Sequence, residues 1–228
     1  FAMFAAGRAF EQIRNSVCYP KLNVKVAATH AGLTVGEDGA SHQAIEDVSL
    51  MRSLPNMTVL VPADEEETRQ AIAWAAAYQG PVYIRLGRMS VDNVSPEGYV
   101  FAPAKAAVLT EGNDVALIAN GVMVMAALEA AKMLAAEGIQ ARVINMASVK
   151  PLDEAAVVSA SKETGAIVTC EEHSIIGGLG SAVAEVLAEQ APAPLERVGV
   201  KDTFGESGKP KELLAKYGLT AVNVAAAA

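Results

Sequence analysis

The chain has 228 residues, 52% of them apolar and 19% charged, so it can bury the core of one large or two small domains and is not of the disordered class. Its 26 acidic residues outnumber its 18 basic ones, for a formal charge of −8, and no Lys/Arg cluster interrupts that balance. This excludes a nucleic-acid surface, which must neutralise phosphates with clustered cations.

Cys18 and Cys170 are too few for a disulfide framework, and His30, His42 and His173 are too scattered to write a zinc motif. Cys170 lies in an apolar run and is expected to be buried and inert; a reducing cytosol is the expected compartment. The longest apolar stretch, 115–136, is broken by Asn120, Gly121, Glu129 and Lys132, so no membrane span is expected. Residues 1–8 lack a basic segment ahead of their apolar part and do not read as a signal peptide. Without an initiator Met, the chain is expected to begin inside a longer sequence. The closing run 225–228, all Ala, is given no function.

In chain order, the pattern predicts a helix over 4–16, a strand over 24–28, a glycine-rich loop over 32–39 and a helix over 43–53. A strand over 58–61 follows Pro55-Asn56. Asp64 is a good N-cap, and Glu65, Glu66 and Glu67 behind it suit the positive end of a helix dipole, so that acidic cluster reads as a helix start. The helix ends at Gly80-Pro81 and leads to a strand over 82–86. Regularity lapses from 87 to 107, which reads as a linker with room for one or two short strands. Strands are then predicted over 115–119, 141–145, 166–169 and 195–200, and helices over 122–137, 153–163, 180–190 and 209–217. Short β-branched runs alternating with helices point to an α/β fold of two consecutive domains, with mainly parallel sheets flanked by helices.

The densest polar constellation runs from Thr29 to Gln43, after a predicted strand end and before a helix, where open parallel sheets bind ligands. Gly32, Gly36 and Gly39 let the backbone turn sharply and approach a ligand. His30, Glu37, Asp38 and His42 offer proton transfer and hydroxyl recognition. A second reading is a capped loop in which Asp38 or Ser41 starts the helix and the histidines are merely exposed. The run Gly177-Gly178-Leu179-Gly180 lacks dinucleotide-fingerprint spacing and reads as a tight turn, while Glu171-Glu172-His173 is either a carboxylate–imidazole pair or a solvated strand end.

His30, then Gly36-Glu37-Asp38-Gly39, Ser41-His42-Gln43, Glu46, Leu54-Pro55-Asn56-Met57 and Val61-Pro62-Ala63-Asp64 resemble the pyrimidine-binding domain of thiamine-diphosphate-dependent transketolases. Phe1 and Phe4 resemble the aromatic segment ahead of it, and Ile84-Arg85-Leu86-Gly87-Arg88 the strand end that supplies a substrate-phosphate arginine. Glu171-Glu172-His173-Ser174 with Gly177-Gly178-Leu179-Gly180 resembles the transketolase C-terminal domain. The resemblance divides the chain into an N-terminally incomplete pyrimidine-binding domain (1–88), a linker (89–107) and a transketolase C-terminal domain (108–228).

That resemblance implies ketol transfer from a ketose phosphate to an aldose phosphate, a pentose phosphate pathway reaction. Phe1 and Phe4 would pack around the cofactor's aminopyrimidine, His30 and Arg88 would bind the sugar phosphate, Asp38 a substrate hydroxyl, and His42 would move protons. The cofactor is thiamine diphosphate with a divalent metal, Mg or Ca, held mainly by an N-terminal diphosphate-binding partner subunit. Two copies of this chain would form a homodimer within the larger assembly, with no role for nucleic acid or membrane. Gly7 stands where many relatives carry an aromatic residue, and Ala40-Ser41 replaces a commoner Pro-Thr. The family's pyrimidine-binding glutamate and its metal-holding motif lie upstream of Phe1. Sister enzymes (deoxyxylulose-phosphate synthase, the β subunit of 2-oxo-acid dehydrogenases) and an inactive regulatory subunit of the same fold are the competing readings.

Overall fold

A computed structural model describes residues 1–228. The chain opens with a continuous helical run: a π-helix at Met3–Arg8, α1 at Phe10–Ile13 and a second π-helical stretch at Arg14–Cys18. Ala2, Ala6, Ile13 and Cys18 are its buried face. They pack with Val48, Met51, Leu54 and Met57, which come from α2 (Asp47–Ser53) and the turn after it. The first sheet holds β1 (Lys25–Ala28), β3 (Val82–Arg85) and β2 (Thr58–Leu60) in parallel. β2 and β3 are buried at every position, the apolar pattern of strands covered on both faces. α3 (Glu65–Ala77) begins as the sequence predicts, with the Asp64 side chain accepting from the Glu67 amide at 2.8 Å, and lays Ala71 and Ala75 against Leu60, Val82 and Ile84.

The second sheet has the order β4-β6-β5-β8-β9. Its strands are β4 (Ala107–Thr110), β5 (Val115–Ala119), β6 (Ala141–Asn145), β8 (Ile167–Ser174) and β9 (Leu195–Val200), parallel except for β4. α4 (Met123–Ala136) packs on one face, and α5 (Glu154–Glu163) and α6 (Leu179–Gln190) on the other. α7 (Pro210–Lys216) and α8 (Ala221–Ala227) close the chain. No helix is long and apolar enough to cross a membrane.

β7 (Ser148–Lys150), β4, the terminal alanines and the linker each differ from the sequence expectation. β7, from the second half of the chain, crosses back to pair antiparallel with β2 at the edge of the first sheet. β4 is an antiparallel edge strand that the irregular composition before it obscures. The terminal alanines, given no function above, complete α8, which buries Val224 against α4. The linker forms no strand between 86 and 106, because side chains of α3, not a neighbouring ladder, take its backbone groups. Asp64 accepts from the amides of Val94 and Ser95 at 2.8 and 2.7 Å. Gln70 donates to the Tyr99 carbonyl at 2.7 Å and accepts from the Phe101 amide at 2.8 Å.

Glu67, expected to serve only the helix dipole, is fully buried at the centre of this strap. Its carboxylate accepts from the Ala63 amide at 2.7 Å, from the Asn145 side chain at 2.9 and 3.0 Å, and from the Tyr99 hydroxyl. Burial pushes its pKa above the ordinary glutamate range, against the hydrogen bonds from those three groups and with help from the Asp64 charge. A raised carboxyl pKa means the folded chain binds more protons than the unfolded one, so this group's contribution to stability falls as pH rises past the ordinary value. Glu67→Gln removes the charge, and the Asn145 Oδ1, buried without a partner, can take the new amide after a half-turn of its own amide. The variant should therefore gain stability relative to the native chain between about pH 4 and about pH 8, read from urea midpoints at both. A difference independent of pH would show that Glu67 does not carry the shift.

Candidate functional site

The loop that leaves β1 is tied to its surroundings at each end. The Ala2 amide donates to the Thr29 carbonyl at 2.7 Å, bringing the N-terminal helical run to the C-terminal edge of the first sheet. The Ala31 amide donates to Leu86 O at 3.1 Å, and Gly32 to Ala44 O at 2.8 Å. Between those ties His30 takes a left-handed conformation, φ 61°. Its ring lies against Phe1, centroids 4.2 Å apart and tilted by 35°. His42 meets Phe1 and Phe4 edge-on, at 5.5 and 5.2 Å. The Arg8 guanidinium covers the Phe4 ring at 4.7 Å. Two imidazoles and two phenyl rings thus share one patch, with Phe1 44% exposed.

Each imidazole is held at Nδ1 by a neighbouring hydroxyl, His30 by Thr29 Oγ1 and His42 by Ser41 Oγ, both at 2.9 Å. Nε2 of each ring is left for a ligand. Beside the same loop, Arg88 donates to the Val35 carbonyl at 2.7 Å and stands 3.4 Å from Asp38 and 3.9 Å from Glu37. Both Arg88 and Asp38 are more than two-fifths exposed. An exposed pair of that kind contributes little, so either group can exchange its partner for a ligand.

Neither Asp38 nor Ser41 starts a helix, which removes the capped-loop reading: α2 begins only at Asp47. Residues 43–46, expected to be helical, are instead tied down as backbone. The Gln43 side chain is buried and donates to Leu33 O at 3.1 Å and Glu206 O at 2.9 Å.

The loop glycines, expected to let the backbone approach a ligand, lie against the second sheet's unit. With φ +82°, +85° and +74°, Gly32, Gly36 and Gly39 take backbone that a side chain would strain. A Cβ would strike the Glu172 carboxylate at Gly32 and Ser207 at Gly39, and would press closely on Pro210 and the Gly208 carbonyl at Gly36. Leu33 and Ile45, near the two ends of the loop, are buried in one apolar cluster with Val200 and Leu213.

Beneath this contact lies a buried ionic group that the sequence reading missed. Arg85, at the end of β3, donates through Nε to both Asp47 oxygens at 3.1 and 2.9 Å, and through Nη2 to Ala44 O at 3.0 Å and Glu172 O at 2.9 Å. Tyr83 donates to Asp47 at 2.6 Å, and its hydroxyl pKa is pushed up by burial and by the Asp47 charge. Burial works against the charged form of Arg85, but Asp47 and Glu172 outweigh it and hold the guanidinium charged. Burial raises the Glu172 carboxyl, with Arg85 opposing. The signal was present as charged residues in phase with apolar neighbours, Arg85 between Ile84 and Leu86 and Glu172 after Val168-Thr169-Cys170.

The other second-half motifs are structural. Glu171 accepts from the amides of Leu179 and Gly180 at 2.6 and 2.9 Å, so the chain's own carboxylate fills the start of α6, and the Gly178 backbone makes room for it. His173 is buried, not a solvated strand end: Nδ1 lies 2.7 Å from Ser174 O and 3.8 Å from Glu171, and Nε2 accepts from the Ser49 amide at 3.4 Å. Cys170 is fully buried and burial pushes its thiol up, which keeps it unreactive. At Gly7, the Met3 side chain occupies the space a larger residue would take.

These residues fit one end of a thiamine cofactor. The exposed Phe1 ring and the half-buried Phe4 ring beside it suit a flat heteroaromatic ring. No three or more His, Cys, Asp or Glu side chains gather to hold a metal ion.

Two family models match the chain, one in each half. Residues 1–93 match the transketolase pyrimidine-binding domain, and residues 104–224 the transketolase C-terminal domain. A solved split-gene transketolase, an inactive β4 tetramer, is 62% identical and superposes with a TM-score of 0.94 over 100% of this chain and 73% of its own. The 6-deoxy-6-sulfo-D-fructose transketolase subunit of a Clostridium strain is 47% identical over 228 residues, 100% of this chain and 71% of the relative. A 1-deoxy-D-xylulose-5-phosphate synthase of Geobacter sulfurreducens is 40% identical over 96% of this chain and 35% of the synthase. The chain belongs to the transketolase family, and comprises its pyrimidine-binding and C-terminal domains.

Proposed function

We propose that this chain is the C-terminal subunit of a split transketolase that transfers a two-carbon ketol unit from a ketose phosphate to an aldose phosphate. The observation that carries the reading is the patch where His30 and His42 meet Phe1 and Phe4 at the sheet edge, on the loop that Arg88 braces. Thiamine diphosphate supplies the carbanion chemistry on which ketol cleavage depends. Phe1 and Phe4 would pack against its aminopyrimidine, while an N-terminal partner subunit would hold the diphosphate and its divalent metal. Two copies of this chain sit in the full assembly, and its free, buried thiols suit a reducing cytosol.

His42, fixed at Nδ1 by Ser41, takes and returns protons at Nε2 as the substrate hydroxyl and carbonyl interchange. Arg88 leaves Asp38 for the terminal phosphate, where its planar fork makes charge-assisted contacts, and His30 adds a single bond from Nε2. Asp38, released from Arg88, accepts from a substrate hydroxyl and reads its configuration.

Three outcomes test this. Mixed with an N-terminal transketolase subunit, the chain should turn over ketose phosphates, and alone it should not; robust turnover by the isolated chain would refute the split site. In the reconstituted enzyme His42→Ala should lower kcat by about 10²–10⁴-fold with a smaller change in cofactor affinity, as for a positioned acid–base group. An unchanged kcat would remove it from the chemistry.

Arg88→Ala should raise KM for phosphorylated substrates by about tenfold or more, from a lost charged hydrogen bond of about 1.5–3 kcal/mol, and leave a short unphosphorylated hydroxyaldehyde unaffected. His30→Ala should move the same way by less. The sulfo-sugar relative makes a sulfonate-bearing ketose the informative comparison, since it offers Arg88 a smaller charge. Equal losses on charged and uncharged substrates would make Arg88 a purely structural strand-end residue. Pyruvate as the sole donor would place the chain with the deoxyxylulose-phosphate synthases.

A further inference from the structure

We propose that Glu172, on β8 of the C-terminal domain, is a positioning residue for ketol transfer: it fixes the loop that carries His30, Asp38 and His42. The inference rests on the functional reading above and assigns the C-terminal domain a part in the reaction beyond assembly.

Glu172 is 3% exposed, and its carboxylate accepts from the Thr34 amide at 2.6 Å. Thr34 lies in the 3-10 turn Leu33–Val35, which opens at Gly32 and closes at Gly36, both with positive φ. The same carboxylate fills the space beside Gly32 where a Cβ would be. The Glu172 carbonyl and the Ala44 carbonyl are both held by Arg85 Nη2, so one guanidinium registers β8 against the far end of the loop. Ser207 beside Gly39 and the Gln43–Glu206 hydrogen bond repeat the arrangement further along. The turn in turn supplies the Val35 carbonyl that holds Arg88. Glu172 touches no substrate in this arrangement; it sets where the histidines and Arg88 stand.

The test uses Glu172→Gln in the full chain, assayed in the reconstituted enzyme and followed by amide hydrogen exchange in the chain itself. Gln keeps the size of the side chain and loses the charge that Arg85 and the Thr34 amide share. Displacing a site by about 1 Å costs on the order of 10²-fold in rate, so kcat should fall toward that extent with donor KM little changed. Amides over residues 32–43 should exchange faster while those of β5 stay protected. If Glu172→Gln does not fold, Glu172→Asp retains the charge beside Arg85 and withdraws the carboxylate from Thr34, and should show the same paired changes more weakly.

Wild-type kcat in a folded variant, or unchanged exchange over 32–43, would overturn the proposal. If the unsubstituted pair shows no ketol transfer, the functional reading fails instead, and the exchange measurement still decides whether Glu172 holds the loop.

Discussion

The Arg85 guanidinium is the constraint on which the rest of this molecule depends. It ends a central strand of the first sheet, 7% exposed, and its donors reach α2 through Asp47, the end of the site loop through Ala44 O, and the second sheet through Glu172 O. A buried ion pair is weak evidence for net stability, since desolvation offsets most of the attraction. Removing one partner is another matter, costing about 3–5 kcal/mol because the remaining charge is stranded. The pair therefore selects one arrangement of strand, helix, loop and second domain over others that would leave Asp47 or Arg85 unmatched. Tyr83 adds to that selectivity, since its hydroxyl finds Asp47 only when α2 lies where it does.

The loop built on this base divides its residues by direction. Leu33, Val35 and Gln43 point inward and are buried, and so are Gly32, Gly36 and Gly39 where the second domain presses on them. Asp38 and Ser41 face outward, with His30 and His42 half-buried beside them. Of the four loop positions with positive φ, three are glycines that adopt it freely; at His30 it is costly, and the backbone ties on either side, Ala2 to Thr29 and Ala31 to Leu86, keep it in place. A reactive loop is usually drawn from the less stable parts of a protein. Here rigidity comes from a neighbouring domain, and the groups meeting substrate stay free to change partners, as the exposed Arg88–Asp38 pair can.

How much of this was legible in the sequence depended on whether the signal was local. Strands such as 82–85 and 115–119 show as apolar runs, and Asp64 marks the start of α3 because capping is settled within four residues. The family resemblance located Phe1, Phe4, His30 and His42, and the structure brings those four rings together. What could not be read was the partner of each side chain. Glu67 looks like any first-turn glutamate until Tyr99 and Asn145 close over it, and Gly32 looks like a ligand-facing glycine until Glu172 fills the space. β7 is three residues long and exists only because β2 offers an edge. In each case the deciding contact joins residues tens of positions apart in the chain, where periodicity carries no information.

The exposure of the aromatic patch bears on how the site must work in the proposed assembly. Two imidazoles at a surface that includes a Phe1 ring 44% exposed stand in a high dielectric, where their interaction with a developing charge is weak. Electrostatic catalysis gains its strength from fixed groups in a dry, closed cleft. A second protein surface laid over Phe1, Phe4 and His42 would supply that closure and would bury the apolar rings that water now meets. The same act would strengthen Arg88 toward a terminal phosphate, because its present partner Asp38 is held only at a solvent-screened 3.4 Å. In the proposed assembly docking and activation would then be one event: the buried Arg85 network already fixes the Ala44 end of the site loop, and the Ala2–Thr29 tie already seats the phenyl rings beside it, so the partner that brings the diphosphate site would also exclude water from the patch.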